Sequence, residues 1–256
     1  MKYLKRVMAS FLFVSPSLAA TEQVSPCVAY EQRGQHVHIA KVDLSCPHLE
    51  LIGTIPGNSE TTSNFAYQHK ATVAINGAFY NENRQPLGLN YSQQKTWSNS
   101  RDYKQYSFLA CTKNNQCFIE PYNQQTIYKP SWHIVISGWQ SMQNGKFMCA
   151  PSSPAICQRN GRGHHPRTAI GLSEDNRYLY MVVVEGRLER FRGYTLTQLA
   201  RLFKDLKVPH AINLDGGGSS TMVVKQRRVN ELPDQQFIFE RAVANHLGVI
   251  DRSQDK

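Results

Sequence analysis

Apolar positions in this chain fall mostly at the two-residue period of strands. Residues 36–44 carry the β-branched residues Val37, Ile39 and Val42, and a second β-branched run covers Leu49 to Ile55. Ala71 to Tyr80 reads as a strand that delivers Asn76 and Gly77 at its end, followed by two aromatics. Arg167 to Leu172 and Tyr178 to Arg187 read as strands joined through the turn cluster Glu174-Asp175-Asn176. The second of these is apolar on both faces, which predicts a central, doubly covered strand. Ala211 to Asp215 alternates Ile212 and Leu214 with Asn213 and Asp215, so one face of that strand carries both polar side chains. A closing strand is expected within Glu240 to Ile250, with Arg241 and Asn245 near its start.

Helical spacing is confined to two stretches. Ser59 to Lys70 predicts a short helix capped by Thr61 or Thr62. Thr195 opens a capping box with Gln198, Leu196, Leu199, Ala200, Phe203 and Leu206 recur on one face, and Pro209 ends the run. Residues 81–105 are polar and read as a long surface loop, and 106–120 as a hairpin. Residues 121–166 show little periodicity and read as an insertion or lid holding Trp132 and Trp139. The fold expected is α+β: a single domain with a mixed, curved β-sheet covered by a few helices. Residues 21–71 supply the first strands and helix of that domain, 72–250 its main body and 251–256 a tail.

The first 20 residues change the compartment. Lys2, Lys5 and Arg6 precede the apolar run Val7 to Val14 and the small-residue stretch ending at Ala20, the pattern of a signal peptide. Without those three cations the formal charge falls from +10 to +7, suited to anionic partners. The basic residues are scattered and form no aromatic-interleaved stripe, so nucleic acid is not the expected partner. No stretch approaches the ~20 apolar residues of a membrane-spanning helix. Six cysteines behind an export signal argue for disulfides in a secreted or periplasmic protein. Many pairings are open, and the simplest joins neighbours: Cys27 with Cys46, Cys111 with Cys117, Cys149 with Cys157. No C-x-x-C is present, which disfavours a zinc site.

The densest candidate chemistry is Asn213-Leu-Asp215-Gly216-Gly217-Gly218-Ser219-Ser220. Consecutive glycines let backbone N–H groups face an anion closely. A glycine-rich hairpin explains the same residues almost as well, and Asp before and serines after the glycines favour a site. The adjacent His164 and His165 read as exposed loop residues.

Four segments in order resemble the phosphodiester glycosidase family: Ala74-Ile-Asn-Gly-Ala-Phe-Tyr80, Pro166-Arg-Thr-Ala-Ile-Gly171, Asn213 to Ser220, and Glu240-Arg-Ala-Val-Ala-Asn-His-Leu-Gly-Val249. Departures are small: Ala78 and Tyr80 stand where Gly and Phe are common, and Ala242 where Pro is common. The resemblance implies cleavage between a sugar's anomeric carbon and a phosphodiester. It implies that Asp215 is the carboxylate activating water or steadying the sugar cation, with Glu185 a weaker candidate for a second. It places the phosphate on the Gly216–Ser219 backbone and the Ser219 and Ser220 hydroxyls, with Arg167 and Arg241 as bidentate partners. Asn76 and Asn213 would orient sugar hydroxyls or bind the leaving group, and Gly77, Thr168 and Asn245 complete the expected binding set. The loops at 76–80, 167–168, 185–187 and 215–220 would converge at one end of the strands. No cofactor is implied, although Asp215 and Asn213 offer oxygen ligands suited to a divalent cation. The implied partner is a glycan phosphate or other sugar phosphate. The competing expectations are a non-catalytic glycan- or phosphate-binding protein, with Trp132, Trp139, Tyr91, Tyr103 and Tyr106 as sugar platforms, and a surface-polymer assembly factor.

Overall fold

The alternating runs resolve into three antiparallel sheets in the computed structural model of the chain, which describes residues 21–57, 59–98, 100, 106–120, 131–149, 154–236 and 239–254. The largest sheet has eight strands, in spatial order Thr21–Ser25, Val28–Arg33, Val37–Asp43, Tyr178–Val184, Arg167–Leu172, His210–Asn213, Gln140–Gln143 and Lys146–Met148. A second sheet of five runs Lys95–Thr96, Tyr91–Ser92, Trp132–Gly138, Ser107–Thr112 and Cys117–Glu120. A third, also of five, runs Arg227–Arg228, Met222–Val224, Val73–Asn76, His246–Asp251 and Leu49–Gly53.

Strand Tyr178–Val184 shows why the sheets stack. Leu179, Met181 and Val183 on one face enter a core shared with Ile134 and Ile136 of the second sheet and Ile75, Leu247 and Val249 of the third. Tyr180, Val182 and Val184 on the other face pack against Leu196, Leu199 and Phe203 of helix Leu196–Asp205. That helix begins with the expected capping box between Thr195 and Gln198. Helix Thr62–His69, capped by Thr61, covers the third sheet with Phe65 and Ala66. Disulfides join Cys27 to Cys46, Cys111 to Cys117 and Cys149 to Cys157.

Three expectations change. The fold is predominantly β, and every strand pairing among the described residues is antiparallel rather than mixed. Tight hairpins join many sequential strands, whereas parallel neighbours need long crossovers. The stretch 81–105 is not a simple surface loop: it contains the Tyr91–Ser92 and Lys95–Thr96 hairpin and buries Asn90 and Trp97. Residues 131–148 are no lid either, since Trp132–Gly138 is a core strand and Gln140–Gln143 pairs with His210–Asn213. Residues 1–20 and 121–130, and Tyr103, lie outside the described residues.

Candidate active site

Antiparallel pairing brings the polar strand ends together. Arg167 stands opposite Val184, Ala169 opposite Asn213, and Asn76 opposite His246. The C-terminal ends of three strands therefore meet the N-terminal ends of two others. Around them lies a pocket of about 220 Å³. Its lining comes from Phe79, His165, Pro166, Arg167 and Arg187 on one set of loops, and from Asn213, Asp215, Gly216, Gly217, Gly218 and Arg241 on the other.

Buried asparagines hold the floor in place. Asn76 donates from Nδ2 to the Asp215 carbonyl at 2.8 Å. Its Oδ1 accepts from Thr168 Oγ1 at 2.7 Å and from the Thr221 N–H at 3.1 Å. Asn245 accepts from the Ala78 N–H at 2.9 Å and donates to Asn90 at 3.0 Å. With 0% and 3% of their surface exposed, Asn76 and Asn245 belong to the scaffold under the pocket rather than to its lining. Thr168 joins them there.

The glycine loop differs from a simple anion nest. The Gly216 N–H donates to Asp215 Oδ1 at 2.9 Å and the Gly217 N–H to the Pro166 carbonyl at 3.0 Å. The Ser219 and Ser220 N–H groups close a 3-10 turn onto Gly216 and Gly217. Ser219 and Ser220 are 1% exposed and sit behind the lining. Two glycines are required by geometry: Gly217 has φ +62°, and a Cβ on Gly216 would lie 2.7 Å from the Pro166 carbonyl oxygen.

Charge in the pocket is lopsided. Three guanidinium groups, of Arg167, Arg187 and Arg241, face one carboxylate, and none of the three forms an ion pair with a carboxylate among the described residues. Arg167 is held by backbone carbonyls instead, at 2.9 Å from Tyr194 and 2.8 Å from Gly163. Burial, then the neighbouring Arg187, lower its pKa to about 10. Burial raises the Asp215 pKa, opposed by the Ser219 hydroxyl, the Gly216 N–H and the charges of Arg241 and Arg187. The His165 imidazole is pushed below its ordinary range by burial and by Arg167, Arg187 and His164, which favours its neutral form. Cations without carboxylate partners around a single acid suit an anionic ligand.

A family model described as phosphodiester glycosidase matches residues 69–250. The chain belongs to the phosphodiester glycosidase family. It is 28% identical over 201 residues to the SPbeta prophage-derived uncharacterized protein YomE of Bacillus subtilis (strain 168), matching 75% of this chain. The chain spans about a third of that relative's length, 30%. Its fold is similar to the zebrafish N-acetylglucosamine-1-phosphodiester alpha-N-acetylglucosaminidase catalytic domain auto-inhibited by pro-peptide. That match has TM-score 0.69 and 23% identity, covering 95% of this chain and 87% of the other. A hypothetical protein from Synechocystis is also similar in fold, with TM-score 0.62 and 15% identity over 92% of this chain and 64% of its own.

Of the residues named from the sequence, Arg167, Asn213, Asp215, Gly216, Gly217, Gly218 and Arg241 line the pocket. Glu185 does not: its carboxylate points to His36 and His38, outside the lining. Arg187, His165 and Phe79 line the pocket although none was in the expected binding set, and His165, read as an exposed loop residue, is part of the wall. Phe79 lies inside the first quoted segment, His165 adjoins the second, and Arg187 follows the candidate Glu185 by two positions, the one signal the sequence offered. Of the expected sugar platforms, Trp132 and Tyr106 are buried, while Trp139 meets the edge of Phe79 at 6.1 Å.

Proposed function

We propose that the chain is an exported hydrolase that cleaves the glycosidic bond of a sugar-1-phosphodiester. The observation that carries this is Asp215 alone among Arg167, Arg187 and Arg241, none of them paired with a carboxylate among the described residues. Ordinary glycosidases use two carboxylates, one to protonate a poor leaving group. A phosphate monoester, with a second pKa of about 6, departs as an anion and needs no such acid. Guanidinium groups that already face it stabilise the charge that develops on departure. One carboxylate then suffices, to activate water or steady the oxocarbenium-like sugar. Asp215, its pKa raised by burial, is closer to the range in which a carboxylate works as a base. Asn213 would orient a sugar hydroxyl or the leaving group, and Phe79 would offer the ring an apolar face. Asn76 and Thr168 act one step back, by fixing Asp215. The signal-like first 20 residues and the three disulfides support export.

Incubation with a panel of sugar-1-phosphodiesters tests the reading. The wild type releases phosphate monoester, and Asp215→Asn loses roughly 10²–10⁴-fold in turnover. Equal turnover by both would remove Asp215 from the chemistry. The lone carboxylate also suits a non-catalytic binding protein, which would show saturable phosphate binding with no release of monoester.

A further inference from the structure

Glu185 is a buried acid, 3% exposed, that the proposed chemistry leaves unused. Its carboxylate is nonetheless fully engaged. Oε1 accepts from His38 Nε2 at 2.9 Å and from the Glu231 N–H at 2.7 Å, and Oε2 accepts from His36 Nδ1 at 2.7 Å. Tyr30 reaches the other nitrogen of His38 at 2.8 Å. A Tyr30 hydroxyl donating there leaves Nε2 as the ring's donor, aimed at the carboxylate. His36 in turn lies flat on Phe191, with ring centroids 4.3 Å apart and planes 9° from parallel.

These bonds grip an arm. Residues 187–192 turn back on themselves, with Leu188 and Phe191 exchanging backbone hydrogen bonds at 3.0 and 3.1 Å. Phe191, held by His36, is on the returning side of the arm. Segment 231–236, tied to Glu185 through the Glu231 N–H, binds the arm a second time: Asp234 N–H donates to the Arg187 carbonyl at 3.2 Å, and Asp234 Oδ2 accepts from the Glu189 N–H at 2.7 Å. At the root of the arm stands Arg187 with φ +55°, a backbone conformation that persists in a non-glycine residue only where its surroundings enforce it. Its guanidinium rests on Gly217, where a Cβ would lie 2.9 Å from Nη2.

We propose that Glu185 is a positioning residue: by anchoring the arm through His36 and segment 231–236, it sets Arg187 over Gly217 to meet the phosphate. The inference rests on the pocket being a phosphate site. A glutamine at 185 has one acceptor oxygen for three donors and turns an amide N–H₂ on the others.

The experiment measures the affinity of the full chain for inorganic phosphate by calorimetry, with kcat and KM on a sugar-1-phosphodiester, for wild type, Glu185→Gln, Arg187→Ala and the double variant. Glu185→Gln should weaken phosphate binding and raise KM about tenfold, with a smaller change in kcat. In the Arg187→Ala background the same change should add nothing, because the residue it acts through is gone. If Glu185→Gln does not fold, His36→Asn, which removes one of the three bonds, takes its place in the cycle. Equal losses in both backgrounds, or phosphate affinity lost in Arg187→Ala but unchanged in Glu185→Gln, overturn the positioning role alone. A wild type that binds no phosphate overturns the pocket reading and the inference with it.

Discussion

At Asp215, stability and the proposed chemistry pull in opposite directions. Burial raises its pKa, so the folded chain holds that proton more tightly than the unfolded chain does. Its contribution to stability is then full at low pH and is lost as pH rises through the raised value. The neutral isostere in Asp215→Asn removes that penalty. Thermal melts at pH 7 should show a midpoint equal to or above the wild type's, alongside the loss of turnover; a large drop would mean that the ionised carboxylate holds the loop together. Gly217→Ala should lower stability and impair the site together. An alanine at φ +62° costs about 1–2 kcal/mol, and its methyl group would displace the Arg187 guanidinium, raising KM with it. At this scale the sequence was informative wherever a polar residue ended an apolar run, which is how Arg167, Asn213 and Asp215 stood out. It was silent on hydrogen-bond bookkeeping. That Gly216 and Gly217 spend their N–H groups on Asp215 and Pro166 depends on contacts between distant segments. So does the diversion of Glu185 to His36 and His38, which lie 149 and 147 positions away.

Elements with strong internal signals were legible: the capped helix at Leu196–Asp205, the doubly buried strand Tyr178–Val184 and the hairpin closed by Cys111 and Cys117. Helix Pro154–Arg162 and strand Trp132–Gly138 were missed within a stretch of little periodicity, and two missed hairpins turn on unusual residues. Hairpins at Gln93-Gln94 and Lys225-Gln226 have both central residues at positive φ, the geometry usually taken by Asn-Gly. Nothing in the side chains of Gln or Lys announces such a turn. Among the described hairpins only Asn144-Gly145, between Gln140–Gln143 and Lys146–Met148, carries the usual pair. Replacing Gln93-Gln94 by Asn-Gly should therefore stabilise the chain by about 1 kcal/mol, read as a higher denaturation midpoint with no change in pocket activity. No gain would mean that tertiary contacts already offset the strain.

Three sheets around one core leave some titratable groups with no water. His246 is buried beneath Phe65, stacked at 4.7 Å, with Nδ1 2.7 Å from Thr54 Oγ1. Burial lowers its pKa to about 3. The unfolded chain binds this proton below the ordinary imidazole pKa of about 6.5 and the folded chain does not, so stability is full above that pH and falls as pH drops towards 3. By pH 5 the loss from this one group is about 2 kcal/mol. Denaturation between pH 8 and pH 5 should show it, and His246→Gln should flatten the slope by that amount; an unchanged slope would contradict it. The stacking of the sheets itself was only partly legible, because alternation marks a strand's faces and not its neighbours.

In the proposed reaction the pocket breaks the bond between anomeric carbon and oxygen and leaves the phosphate's own bonds untouched. Hydrolysis of a sugar-1-phosphodiester in ¹⁸O-labelled water, followed by phosphorus NMR and mass spectrometry of the sugar, tests it most directly. The diester should convert to an unlabelled phosphate monoester, with the heavy oxygen on the sugar. Label in the phosphate, or an unchanged diester signal, would contradict it.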